Sequence, residues 1–63
     1  MNGKIKFFNE KKGFGFIIGE DNKDYFFHVS KMKSEQVPDK NQNVEFDTEE
    51  TNKGLQAINV ELM

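Results

Sequence analysis

A chain of 63 residues suffices for one small domain, which buries only about 60% of the surface its unfolded form exposes and leaves little room for a deep catalytic pocket. Without cysteine it builds neither a disulfide framework nor a thiolate zinc site and fits a reducing, cytoplasmic setting, while the early charge after Met1-Asn2-Gly3-Lys4-Ile5 gives no apolar signal segment and no later stretch reaches the length of a membrane span. The net charge of −2 argues against a partner held mainly by phosphate neutralisation, yet residues 1–12 carry four lysines against one acid and stand at +3, while residues 13–63 carry five against ten and stand at −5.

Five short segments with strand character, separated by turn-rich runs and lacking a helical period, predict an all-β domain over residues 1–63. The first strand is expected at Lys4 to Phe8, with Asn9-Glu10-Lys11 turning into the second, Gly13 to Ile18. In that second segment period-2 geometry sets Phe14 and Phe16 on one face and Gly13 and Gly15 on the other, so two rings stand side by side where the glycines let the strand bend. Rings left on an outer face form a platform on which successive bases of a single strand can stack.

Gly19 to Asp24 reads as a polar hairpin loop, and Tyr25 to Val29 as the third strand. If Tyr25 and Phe27 are buried, Phe26 and His28 face outward, and antiparallel pairing with the second strand assembles Phe14, Phe16, Phe26 and His28 into one aromatic surface. Ser30 to Met32 is expected as a short or 3₁₀ turn, followed by a polar surface connection from Lys33 to Asn43 around Pro38, too long for a hairpin. Val44, Phe46 and Thr48 alternate with Glu45, Asp47 and Glu49 as a half-buried fourth strand. Thr51-Asn52-Lys53-Gly54 turns into the fifth, Leu55 to Leu62. The expected core is Ile5, Phe8, Ile17, Phe27, Phe46, Val44 and Val60.

Lys12-Gly13-Phe14-Gly15-Phe16-Ile17 resembles the first ribonucleoprotein motif of bacterial cold-shock proteins, and Phe26-Phe27-His28-Val29 resembles the second. The similarity extends to Gly3-Lys4-Ile5-Lys6-Phe7-Phe8-Asn9 and to Asn52-Lys53-Gly54-Leu55-Gln56-Ala57 with Asn59-Val60, nearly the whole chain. It implies a five-stranded antiparallel Greek-key barrel of the oligonucleotide/oligosaccharide-binding (OB) type. It further implies base stacking on Phe7, Phe14, Phe16, Phe26 and His28, backbone contacts by Lys6, Lys12 and Lys53, and a hydrogen bond between a base edge and Asp24. Three positions depart from the pattern: Phe7 stands where tryptophan is usual, Val29 where phenylalanine is common, and Val37 where the phenylalanine of the connection is missing.

The function expected is therefore binding of single-stranded RNA or DNA, as a cytoplasmic RNA chaperone that keeps transcripts unstructured, working as a monomer with dimerisation left open. The departures predict weaker binding than the family norm, with a log-log salt slope near −2 for about three lysine contacts. The rival reading is a protein-interaction OB barrel with weakened or lost nucleic-acid binding. An enzyme is not expected. His28 is the one histidine, no carboxylate pair is marked for acid or base work, and neither cofactor nor metal is expected. Gly13-Phe14-Gly15 is no dinucleotide fingerprint, since Ile18 stands at the third glycine's place and no helix follows.

Overall fold

The structure is a computed structural model that describes residues 1–33 and 36–63. Ser34 and Glu35, inside the expected surface connection, lie outside the described residues. Five strands form where the alternation and β-branched or aromatic content called for them: β1 (Asn2–Asn9), β2 (Phe14–Gly19), β3 (Asp24–His28), β4 (Asn43–Thr51) and β5 (Gly54–Leu62). β2 begins one residue later than expected because Gly13 sits at φ 72°, a left-handed conformation that closes the turn instead of starting a strand. Its N–H donates to the Asn9 carbonyl at 2.8 Å, and its own carbonyl accepts from the Val29 N–H at 2.8 Å. Val29 consequently leaves β3 and opens a 3₁₀ turn, Val29–Lys31.

The strands close into a barrel in the order β1-β2-β3-β5-β4. β1 pairs antiparallel with β2 and β4, β2 with β3, and β4 with β5; the β3–β5 seam is parallel and places Phe26 opposite Gln56. β4 thus pairs with β1 and β5 and not with β3, so the connection after the 3₁₀ turn crosses the barrel instead of forming a hairpin. This is the Greek-key barrel of the OB type.

The core consists of Ile5, Ile17, Tyr25, Phe27, Val44, Phe46, Ala57 and Val60, all buried. Phe8 is a correction: it is half-buried at the rim and stacks on Phe27 with ring centres 5.8 Å apart and planes 14° apart. Thr48 is a second correction. It is exposed because β4 is paired with β1 only over Asn43 to Glu45, so the distal part of β4 leaves the barrel wall as a ribbon with β5.

Two bulges reset the alternation. In β1, Ile5 faces Ile17 and Phe7 faces Phe16, which leaves Lys6 as the additional residue. In β5, Ile58 and Glu61 face Asp47 and Glu45, so Asn59 and Val60 together oppose the single Phe46. Asn59 adopts φ 52°, a conformation asparagine tolerates better than most residues, and its Nδ2 donates to Asp47 Oδ2 at 3.0 Å. The β5 bulge is why Ala57 and Val60, three apart in sequence, both point inward.

Candidate nucleic-acid interface

The β1 bulge decides where Phe7 goes. Strict alternation would give Phe7 the same face as buried Ile5; with Lys6 inserted, both Lys6 and Phe7 are exposed and Phe8 turns back toward the core. The register then aligns Phe7, Phe16, Phe26 and Gln56 in one row across β1, β2, β3 and β5, with Asn9, Phe14 and His28 in a second row. Ring centres are 6.4 Å apart for Phe7 and Phe14, 5.7 Å for Phe14 and Phe26, and 5.7 Å for Phe16 and Phe26. Four phenylalanines therefore form one continuous aromatic track on the outside of the barrel. Phe7 and Phe16 remain 41% and 37% exposed, although burying either would gain about 1.5 to 3 kcal/mol.

Gly15 makes the close approach behind this track possible. A Cβ on Gly15 would stand 2.3 Å from the Phe7 carbonyl oxygen and 3.0 Å from Phe27 Cε1, so any side chain there would push β1 off β2 or disturb the core. The rings at positions 14 and 16 are displayed outward because the residue between them has nothing to pack inward.

His28 lies opposite Phe14 at the exposed end of β3. Its Nδ1 accepts from the Ser30 N–H at 3.1 Å and lies 2.9 Å from Ser30 Oγ. The Ser30 contact requires an unprotonated Nδ1, so the neutral ring carries its proton on Nε2. Lys12 is in the turn leading to Phe14, and its N–H donates to Asn9 Oδ1 at 3.1 Å. Lys6 and Asp24, expected to act separately, form an ion pair at 2.9 Å across β2.

The loop before β3 is braced by Tyr25, whose hydroxyl donates to Asp21 at 2.5 Å, while Asp21 Oδ1 accepts from the Lys23 N–H at 3.1 Å. The tyrosine hydrogen bond holds the Asp21 carboxyl below the usual carboxylate range, and the same bond, with burial, raises the Tyr25 phenol above its ordinary value. Among the described residues, no group of three or more histidine, cysteine, aspartate or glutamate side chains is arranged to hold a metal ion, and no helix is long and apolar enough to cross a membrane.

An aromatic outer face on an OB barrel narrows the kinship, and comparison with known proteins decides it: the family model of the 'Cold-shock' DNA-binding domain matches residues 1–63. The chain belongs to the cold-shock domain family. It is 48% identical over 62 residues to cold shock-like protein CspB of Bacillus cereus, covering 95% of each chain. It is 45% identical over 62 residues to cold shock protein 2 of Lactiplantibacillus plantarum, covering 95% of this chain and 94% of that one. Among solved structures it is similar to a Drosophila Unr fragment, CSD456, with a TM-score of 0.79 and 31% identity; the match covers 98% of this chain and spans 26% of that one. Nucleic-acid binding follows from this membership.

This cold-shock domain also shows neighbours of the rings that sequence reasoning missed. Phe16 and Phe26 share a groove with Leu55, Gln56, Thr51 and Lys53. Lys53 was expected there; Leu55 and Gln56 were not, because they reach the rings only through the parallel β3–β5 seam, which no local pattern encodes. A second groove joins Phe7 and Lys6 to Val37, Pro38 and Lys40. Val37, where the family pattern's phenylalanine is missing, lines the same groove as Phe7, and it is exposed.

Proposed function

We propose that this cold-shock domain binds single-stranded RNA or DNA as an extended strand with its bases stacked on Phe7, Phe14, Phe16 and Phe26, and that it serves in the cytoplasm as an RNA chaperone keeping transcripts unstructured. The observation that carries the reading is the unbroken track of four outward rings, each within 6.4 Å of the next. Stacking on each ring contributes about 1 to 3 kcal/mol and is open to every base, so binding is tight enough to compete with weak RNA hairpins and loosely selective in sequence. His28 extends the track past Phe14 with a ring and an Nε2–H donor, and Lys12 and Lys53 flank it as backbone contacts. The barrel supplies binding without chemistry.

Backbone NMR spectra of labelled protein, recorded while a short oligothymidine or oligouridine is added, test this reading. Shifts centred on Phe7, Phe14, Phe16, Phe26 and His28 are expected. No shifts at about millimolar oligonucleotide in low salt, weaker than even non-specific nucleic-acid binding, would sink it and leave the protein-interaction barrel as the better reading.

A further inference from the structure

The histidine that ends β3 is engaged within the protein as well as exposed on its surface. His28 is the N-cap of the 3₁₀ turn Val29–Lys31: its backbone is extended, with φ −110° and ψ 149°, and its Nδ1 accepts from the Ser30 N–H at 3.1 Å. Ser30 Oγ lies 2.9 Å from the same nitrogen. An N-cap acceptor is ordinarily the side-chain oxygen of serine, threonine, aspartate or asparagine, and here an imidazole nitrogen takes that place.

The turn that supplies these donors is fixed at both ends. The Val29 N–H donates to the Gly13 carbonyl at 2.8 Å, which ties its start to the turn between β1 and β2. At the other end Met32 packs against the core, its N–H donates to the Val29 carbonyl at 3.1 Å, and the Lys33 N–H donates to the Val60 carbonyl at 2.7 Å. Ser30 therefore meets His28 from a position set by the barrel, and both its donors converge on one lone pair. A protonated Nδ1 would face the Ser30 N–H donor to donor, so the neutral ring keeps its proton on Nε2. Nε2 lies beside the glycine turn that leads to Phe14: a Cβ built on Gly13 would stand 3.7 Å from it.

We propose that Ser30 is a positioning residue for strand binding: it fixes both the rotation and the tautomer of His28, so that the imidazole presents an Nε2–H donor beside Gly13 to an acceptor oxygen of the bound strand. This rests on the reading of the aromatic track as a single-strand platform. A ring that only stacked would need neither nitrogen in a particular state. With Nδ1 held by Ser30, His28 gives the strand direction as well as stacking area. The donor is neutral, so it adds affinity without adding to the cations that set the salt dependence.

The test uses the full chain at about pH 8, the upper end of the range in which histidine side chains change charge. His28 is the chain's single histidine, so its ring nitrogen and carbon resonances report the tautomer directly, and the Nε2–H form is expected to predominate. Ser30→Ala removes the Oγ donor and keeps the N–H. It is expected to shift the tautomer ratio toward Nδ1–H by about 2- to 12-fold, the ratio that one hydrogen bond sustains. Saturation with a short oligothymidine should slow exchange of the Nε2 proton with water. A chain synthesised with a methyl group on His28 Nε2 should bind that oligothymidine about 2- to 12-fold more weakly, while its urea midpoint stays that of the unmodified chain because the cap on Nδ1 is untouched.

A predominant Nδ1–H form, a tautomer ratio indifferent to Ser30→Ala, or unchanged affinity with Nε2 methylated would each overturn the inference while the platform reading stands. Absence of oligothymidine binding by the unmodified chain would defeat the platform reading and this inference with it.

Discussion

Phe26 and Phe27 are consecutive in β3, yet Phe27 is fully buried against Phe8 while Phe26 lies between Phe14 and Phe16 on the outer face. Phe27→Ala should cost about 3 to 5 kcal/mol of stability, which is most of the ~3 to 9 kcal/mol available to a chain of this length, so the variant is expected to be largely unfolded in a urea titration. Phe26→Ala should leave the urea midpoint nearly unchanged and weaken oligonucleotide binding by about 1 to 3 kcal/mol, read in the same NMR titration. If both variants lost stability equally, the outer ring would be a packing residue. A different residue pair adds a pH dependence at both extremes. The Asp21 carboxyl is held below its ordinary value, so its contribution is present above about pH 3.9 and is lost as pH falls through the lowered folded value. The Tyr25 phenol is raised, so its contribution is complete below about pH 10 and is lost as pH rises through the raised value. Tyr25→Phe removes the shared hydrogen bond, and its melting temperature should be flatter than the wild type's at both extremes when measured across pH.

At the scale of strands, what could be read from sequence follows from where the alternation is unbroken. β2 and β3 carry no bulge, so Gly15 and Ile17 against Phe14 and Phe16, and Tyr25 and Phe27 against Phe26 and His28, fall on the expected faces. β1 was not legible in this way: Ile5 and Phe7 share parity, and no local signal places an additional residue at Lys6. The inward pairing of Ala57 with Val60 likewise depends on the Asn59 bulge, and the neighbourhood of Leu55 and Gln56 depends on a parallel contact between elements far apart in the chain. For Phe7 the resemblance to cold-shock proteins supplied what periodicity could not. Pairing also exposes a defect: Glu45 and Glu61 stand directly opposite each other on the exposed face of β4 and β5. Like charges in that position are destabilising, so Glu61→Lys, which makes a favourable pair with Glu45, should raise stability by about 0.2 to 1 kcal/mol. Denaturant midpoints should show the gain at low salt and its shrinkage in concentrated salt, because both groups are exposed.

For the whole molecule, a net charge of −2 with a basic segment at residues 1–12 means that attraction to phosphate is weak and local, while the aromatic track is long. The two contributions separate in a salt titration, since counterion release sets the slope and stacking on rings sets the level. A slope between about −1.4 and −2.1, for two to three lysine contacts, costs only about 25- to 125-fold in affinity over a tenfold rise in salt, so binding to a single strand should persist where a strongly basic binder would have let go. Duplex DNA keeps its base faces stacked on one another and offers this surface only phosphates, so it should bind far more weakly than a single strand of equal length. Val29 and Val37 are both exposed, and Val37 shares a groove with Phe7. Val29→Phe and Val37→Phe should each raise the level, by up to about 1 to 3 kcal/mol where the new ring meets a base, and leave the slope unchanged. A slope that steepened with the added rings would mean that they redirect the strand over more lysines, and stacking and charge would then have to be treated as coupled along the whole face.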